Sequence, residues 1–258
     1  NSDTLVSGAR RTNANFVDLN RNYPDFIKGE NPDGYDRQKE SLAMMQYLQS
    51  FMPSISANIH AGAEVVNYPW DNNLSFHPDD EWFNFISREY ADTARYYYPG
   101  YMNSDEFDDG VIRGALWYIV YGGRQDYVTY FLDGRELTLE LSEIKSPPAD
   151  MIPDIWNANY RSLLNFISQA SYGIHGKVYD PVNKKPLNAK INIEGYDEES
   201  SRIESNPLTG YFFRYLKSGI YTLSFSVPGY EEKIIENIEV KDYETTDITI
   251  NMVPLKEL

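Results

Sequence analysis

The texture of the chain changes near Ser171, and that change restricts it to few architectures. Before it, runs with strand-like alternation and runs with helical spacing follow one another; after it, almost everything is short alternating runs separated by turn residues. Alternating strands and helices predict an α/β layer fold, and a succession of short strands predicts a small all-β sandwich. A chain of 258 residues can bury one large core or two modest ones. We therefore read two domains, 1–170 and 171–258.

In the first domain, Leu42, Met45, Leu48 and Met52 recur at helical spacing until Pro53. Ile55, Ala57 and Ile59 then alternate as a buried strand that delivers His60 to its C-terminal end. Pro78 and the acids Asp79, Asp80 and Glu81 open a helix whose buried stripe is Trp82, Ile86 and Tyr90. Leu137, Leu139 and Leu141 alternate with Thr138 and Glu140, a strand with its acid on the face opposite the leucines. Trp156, Tyr160, Leu163 and Ile167 mark a closing helix that packs on the sheet. In the second domain, four runs alternate: Ile174 to Val178, Ala189 to Ile193, Tyr221 to Val227, and Ile248 to Met252. Turns fall at Asp180-Pro181, Thr209-Gly210, Ser218-Gly219 and Pro228-Gly229. This reads as an antiparallel sandwich.

A net charge of −16 argues against a nucleic-acid partner, which needs a basic patch, and draws in cationic ligands at long range. The absence of cysteine removes disulfide and thiolate chemistry and leaves the redox compartment open. No apolar run approaches the roughly 20 residues of a bilayer helix.

Three phrases stand out in order: NANFVDLNRNYPD at 13–25 with Arg11 before it, SANIHAGAEVVNYPWD at 56–71, and LTLELSEIKSPP at 137–148. A histidine at a strand end is by itself more often structural, an isolated arginine is usually solvated, and a lone strand glutamate is usually surface. Taken together, the phrases resemble the zinc metallocarboxypeptidases, specifically the regulatory (carboxypeptidase N, E and D type) branch, with Ala61 in place of a usual glycine. GYFFRYLKSGIYTLSFSVPGY at 210–230 resembles the transthyretin-like domain that follows the catalytic domain in that branch. The resemblance implies a mixed sheet carrying the C-terminal part of a carboxypeptidase domain, followed by a small transthyretin-like sandwich.

The resemblance also implies roles. His60 would be a Zn2+ ligand, and Glu140 the general base and then acid, with Glu143 as the alternative if the register is shifted. Arg11 would stabilise the oxyanion, and Asn20 and Arg21 would hold the substrate's C-terminal carboxylate. Asp18 would orient a zinc-binding histidine. Tyr118, four residues before Gly122-Gly123, would close over the carboxylate; Tyr121 and Tyr127 are the packing tyrosines beside it. Asp71 and Gln125 would set the preference for a leaving Lys or Arg, although Asp71 also reads as a solvated loop acid.

Zinc takes three protein ligands, and the family's other two form His-x-x-Glu, which this chain lacks. Ala63, Asp80 and Val178 follow His60, His77 and His175 at that spacing. His77 with Asp80 reads better as the capped start of a helix, and His175 as a residue of a solvated strand. We expect the pair upstream of Asn1, the chain beginning inside the catalytic domain. The competing explanation is a relative without metal.

The expected activity is release of a C-terminal Lys or Arg from peptides or proteins. The alternatives are a metal-free module that binds peptide C-termini and an adhesion or scaffold protein using the acidic sandwich. Relatives act outside the cytoplasm, which points to a secreted or periplasmic protein.

Overall fold

The computed structural model describes residues 10–198, 200–201 and 203–255. The chain divides into two compact units, one of Asn1–His77 and Phe83–Ile167, the other of Pro78–Trp82 and Ser168–Leu258.

The helices and strands up to Gln169 are α1 (Lys39–Phe51), β1 (Ile55–His60), β2 (Ala63–Tyr68), α2 (Asp80–Tyr97), β3 (Val111–Arg113), the short α3 (Gly114–Trp117), α4 (Arg124–Phe131), β4 (Arg135–Ser142) and α5 (Ile152–Gln169). Helix α1 ends where Met52 turns left-handed and donates its N–H to the Leu48 carbonyl at 2.7 Å. Pro53 follows and cannot extend it.

The first sheet has the order β1-β4-β2-β3. It is mixed: β4 runs parallel to β1 and antiparallel to β2, and β2 runs parallel to β3. Strand β4 lies inside the sheet and is buried on both faces, Leu137 and Leu139 on one side, Thr138 and Glu140 on the other. Its register with β1 sets Asn58 against Thr138 and His60 against Glu140. Those four side chains share a face, since residues two apart on a strand do.

That register corrects one reading from the sequence. Ile59 is 63% exposed and Asn58 is buried, so the apolar parity of β1 is not its buried parity. The face that this strand buries is the polar one it shares with Thr138 and Glu140.

Helix α5 is a second correction. Trp156 and Ile167 are 59% and 64% exposed, and the buried face is Ala158, Asn159, Ser162 and Phe166. Small and polar residues can be buried here because their hydrogen bonds are met. Tyr90 of α2 donates to Asn159 Oδ1 at 2.9 Å, Asn159 Nδ2 donates to the Tyr101 hydroxyl at 2.7 Å, and Tyr101 donates to the Leu141 carbonyl at 2.9 Å. The network reaches the residue next to Glu140. The α2 stripe, by contrast, is buried as expected at Ile86 and Tyr90.

The second unit holds β5 (Gly173–Tyr179), β6 (Lys190–Ile193), β7 (Ile203–Glu204), β8 (Tyr211–Arg214), β9 (Gly219–Ser226), β10 (Lys233–Val240) and β11 (Thr245–Asn251). They form two sheets, β10-β9-β6-β7 and β11-β5-β8. The alternating residues expected from the sequence make the core: Ile174, Val178, Ile191, Ile193, Leu223, Phe225 and Ile250 among them. The unit is not wholly antiparallel, because β11 pairs with β5 in parallel.

Arg214 lies on the inner face of β8. It donates through both terminal nitrogens to Asp79 at 2.7 Å and to Asp197 at 2.6 Å, with all three side chains buried. Asp79 is thus an ion-pair partner as well as the residue before α2. His175 is half-buried, edge-on to Phe213 with centroids 4.9 Å apart, and not a fully solvated strand residue.

Candidate active site

Strands β1 and β4 end side by side, and three loops gather beyond them. The first loop is a single 3-10 turn, Leu19–Arg21, started by Asp18, whose Oδ1 accepts the Asn20 N–H at 3.0 Å. The other Asp18 oxygen accepts from Arg11 Nε at 2.8 Å, so this acid orients an arginine of the site and the turn that carries Asn20.

The second loop follows β2 and carries Asp71 past a cis Pro69–Trp70 bond. The third follows α3 and contains Gly122-Gly123. Gly122 has φ +67°, and a Cβ there would meet the Arg21 carbonyl oxygen at 2.4 Å. Only glycine fits that close approach. Asp25 ties the three loops together, its Oδ2 accepting from the Gly122 N–H and from Asn72 Nδ2, each at 3.1 Å.

A narrow inner cavity of about 30 Å3 is lined by Arg11, Asn20, Arg21, His60, Asp71, Tyr118 and Glu140, together with Asn67, Gly114, Trp117, Val120 and Thr138. Seven of the residues singled out from the sequence therefore line one cavity. Gln125 is not on the lining, yet its Nε2 donates to Asp71 Oδ1 at 3.1 Å. Glu143 is exposed and lines neither cavity. An outer cavity of about 650 Å3 shares Arg11, His60, Trp117, Tyr118 and Glu140 with the inner one and adds Arg10, Ala61, Gly62, Lys145 and Ser146.

The sequence reading passed over several lining residues. Thr138 had a signal, being two positions before Glu140 on one strand, and Asn67 stands inside the NYPWD phrase. Gly114 had none. A Cβ on Gly114 would meet Asp71 Oδ1 at 1.7 Å, so the missing side chain is the space that the carboxylate occupies.

The hydrogen bonds define what each group can offer a ligand. Asn20 Oδ1 accepts the Arg124 N–H at 2.9 Å, which leaves the amide's NH2 as its donor end. Asp71 Oδ1 accepts from Asn67 Nδ2 at 3.2 Å as well as from Gln125. Among the described residues, Glu140 Oε2 and Gln125 Oε1 are buried without a hydrogen-bond partner, two acceptors awaiting a donor.

Electrostatics separates the two groups at the strand ends. Burial pushes Glu140 up to about 7, against the pull of Arg11 and Lys145. Burial, then Arg11 and Arg21, push His60 down to about 4, so its imidazole is neutral at ordinary pH. A neutral imidazole is the form that ligates a metal. Asp71 and Asp126 are both raised, foremost by burial. Asp126 accepts the backbone N–H groups of Asp71 and Asn72 at 3.1 and 3.0 Å.

The chain is thus a mixed α/β fold with a polar cleft at the strand ends. A profile described as zinc carboxypeptidase matches residues 2–162, and the chain belongs to that family. Carboxypeptidase SOL1 of Arabidopsis thaliana is 36% identical over 232 residues, covering 87% of this chain and 46% of that protein. The human carboxypeptidase N catalytic chain is 33% identical over 253 residues, covering 87% of this chain and 54% of that one. The chain thus spans about half the length of these relatives. Among solved structures, bovine thrombin-activatable fibrinolysis inhibitor in complex with tick carboxypeptidase inhibitor is similar at a TM-score of 0.46 and 17% identity, covering 62% of this chain and 57% of that chain.

The family's cofactor is Zn2+. His60 is a suitable nitrogen donor, but among the described residues no three His, Cys, Asp or Glu side chains come together as a group that could hold a metal. The described donors do not by themselves make a zinc site, which takes three protein ligands.

Proposed function

We propose that the protein carrying this chain is a zinc-dependent exopeptidase that releases a C-terminal Lys or Arg from peptides or proteins. Residues 1–170 are read as the C-terminal portion of its catalytic domain and 171–258 as a transthyretin-like sandwich. His60 is proposed as one zinc ligand, the other two coming from outside the described residues. A secreted or periplasmic location goes with this reading.

The observation that carries the proposal is the shared cavity: a buried glutamate, a neutral histidine, an amide whose oxygen is held by the Arg124 N–H, two arginines and a buried aspartate, all on one wall or another of the same cleft. Asn20 and Arg21 would grip the terminal carboxylate, a guanidinium fork matching two oxygens. Tyr118, at the junction of the two cavities, would cover it. Asp71, with Gln125 beside it, would receive the cationic end of the leaving residue.

Glu140 would take a proton from the attacking water and return it to the departing amine, a task suited to a carboxyl whose pKa is near neutrality. Arg11 would face the oxyanion; removing such a donor costs about a hundredfold or more in turnover. The family match does not favour the metal-free binding module.

The test is a full-length, zinc-loaded preparation given a blocked peptide ending in Ala-Arg. Release of free arginine, abolished by a chelator and restored by zinc, is expected. Hydrolysis that a chelator leaves untouched, or no hydrolysis at all, overturns the reading.

A further inference from the structure

The net charge of −16 predicts attraction of cations, but the charge at the mouth of the cleft has the opposite sign. The outer cavity is lined by Arg10, Arg11 and Lys145 against one carboxylate, Glu140. With Arg11 paired to Asp18 at 2.8 Å, Arg10 and Lys145 remain against Glu140, and in a chain this acidic they make a local field that differs from the field of the whole.

Lys145 is held there by packing. It follows β4 in an exposed bend, and its stem lies across Gly62, where a Cβ would come within 3.3 Å of its Cε. Gly62 has φ +137° and donates its N–H to the Ser142 carbonyl at 2.7 Å, closing the turn after His60 onto the end of β4. The missing side chain of Gly62 is what lets the lysine lie over that turn. Arg11 is committed to Asp18. Among the described residues, no carboxylate within ion-pair distance engages Lys145, while its charge is among those felt by Glu140.

The two cavities give the order in which a chain would thread them. If the terminal carboxylate lies at Asn20 and Arg21 in the inner cavity, the last peptide bond falls at the shared ring of Arg11, His60 and Glu140. The residue before that bond then sits in the outer cavity, beside Lys145. We infer that the outer cavity selects substrates with an acidic residue immediately before the C-terminal one, and that Lys145 is the specificity-determining cation. This rests on the exopeptidase reading for its direction of threading.

The effect is that of an exposed ion pair, about two- to fivefold in affinity. Screening at about 1 M salt, where the Debye length is near 3 Å, removes it. The probes are three dansylated tetrapeptides ending in Glu-Arg, Ala-Arg and Lys-Arg, and the readout is fluorescence anisotropy with the chain described here at low and high salt.

Glu-Arg should bind tightest and Lys-Arg weakest at low salt. The order should flatten in Lys145→Gln, reverse in Lys145→Glu, and vanish at high salt. Equal binding of Glu-Arg and Ala-Arg, an order that survives Lys145→Gln, or no binding of any peptide overturns the inference. If the order is seen but the zinc-loaded full-length protein releases no arginine, the exopeptidase reading fails and the charge selection stands; turnover without the order does the reverse.

Discussion

His60 and Glu140 are direct neighbours across the parallel pair β1–β4, the last matched residues of the two strands. One backbone relationship therefore delivers a nitrogen donor and a carboxyl to the same point of the cleft. Their titrations are displaced in opposite directions by the same cause, since burial penalises whichever form is charged. At neutral pH the imidazole is uncharged and the carboxyl is poised between its two forms.

On the exopeptidase reading proposed above, Glu140→Gln should abolish release of arginine by the full-length protein while zinc content is retained. Comparable turnover in that variant would remove Glu140 as the base. The same substitution carries a stability signature in the chain without metal. The folded pKa of Glu140 is raised from 4.5 to about 7, so its contribution is fully present below about 4.5 and is lost as pH rises through 7. His60, depressed from 6.5 to about 4, acts in the other direction and weakens the fold as pH falls across that interval. Glu140→Gln should raise the urea midpoint at pH 8 by an amount equivalent to about 1–2 kcal/mol, after allowance for solvent screening, and leave it unchanged at pH 4.

If the proposed selection of basic C-termini holds, Asp71→Ala should lower the ratio of kcat/KM for C-terminal Lys or Arg over Phe in the full-length protein. The carboxylate is buried and oriented by Asn67 and Gln125 at 3.2 and 3.1 Å; its loss takes that acceptor from Asn67 Nδ2 and leaves Gln125 Nε2 with the longer bond to Asn67 Oδ1 at 3.4 Å. An unchanged ratio of specificity constants would take Asp71 out of the leaving-residue pocket.

What the sequence made legible was local. Leu137 and Leu139 against Thr138 and Glu140 is a period of two within four residues, and β4 has that parity. Helix α5 was recognisable as a helix, but its buried face was not, because Asn159 and Ser162 are buried by virtue of hydrogen bonds to Tyr90 and Tyr101, residues far away in the chain. The inversion of Ile59 and Asn58 has the same origin: the polar face of β1 is buried by its register with β4, which no window of sequence contains. Gly114 was invisible for a different reason, since its role is an absent side chain. The site phrases, in contrast, each carry their cavity-lining residues on one short loop or strand end, close together in sequence.

Gly114→Ala tests whether the space at that glycine is needed. The added Cβ would lie 1.7 Å from Asp71 Oδ1 and 2.7 Å from Asn67 Oδ1, so Asp71 must move. Overpacking of this kind costs about 1–3 kcal/mol. Thermal unfolding should show the loss, and selection for basic C-termini should fall with it. Stability and selectivity both equal to those of the parent would show that Asp71 shifts freely and that its position is not fixed by Gly114.

Arg214→Met removes the cation from between two buried carboxylates. Asp79 and Asp197 are both held within 2.7 Å of its guanidinium, and the sequence separation of Arg214 and Asp79 is 135 residues. An ion pair this deep is poor evidence of net stabilisation, because its desolvation cost is large, but losing one partner strands the other. The single substitution should cost about 3–5 kcal/mol in urea unfolding. Asp79→Asn alone should also destabilise, yet adding it to Arg214→Met should cost less than the sum of the two, because one stranded charge is then neutralised. Strict additivity would mean that the two residues act independently and that the buried pair does not fix the place of Asp79.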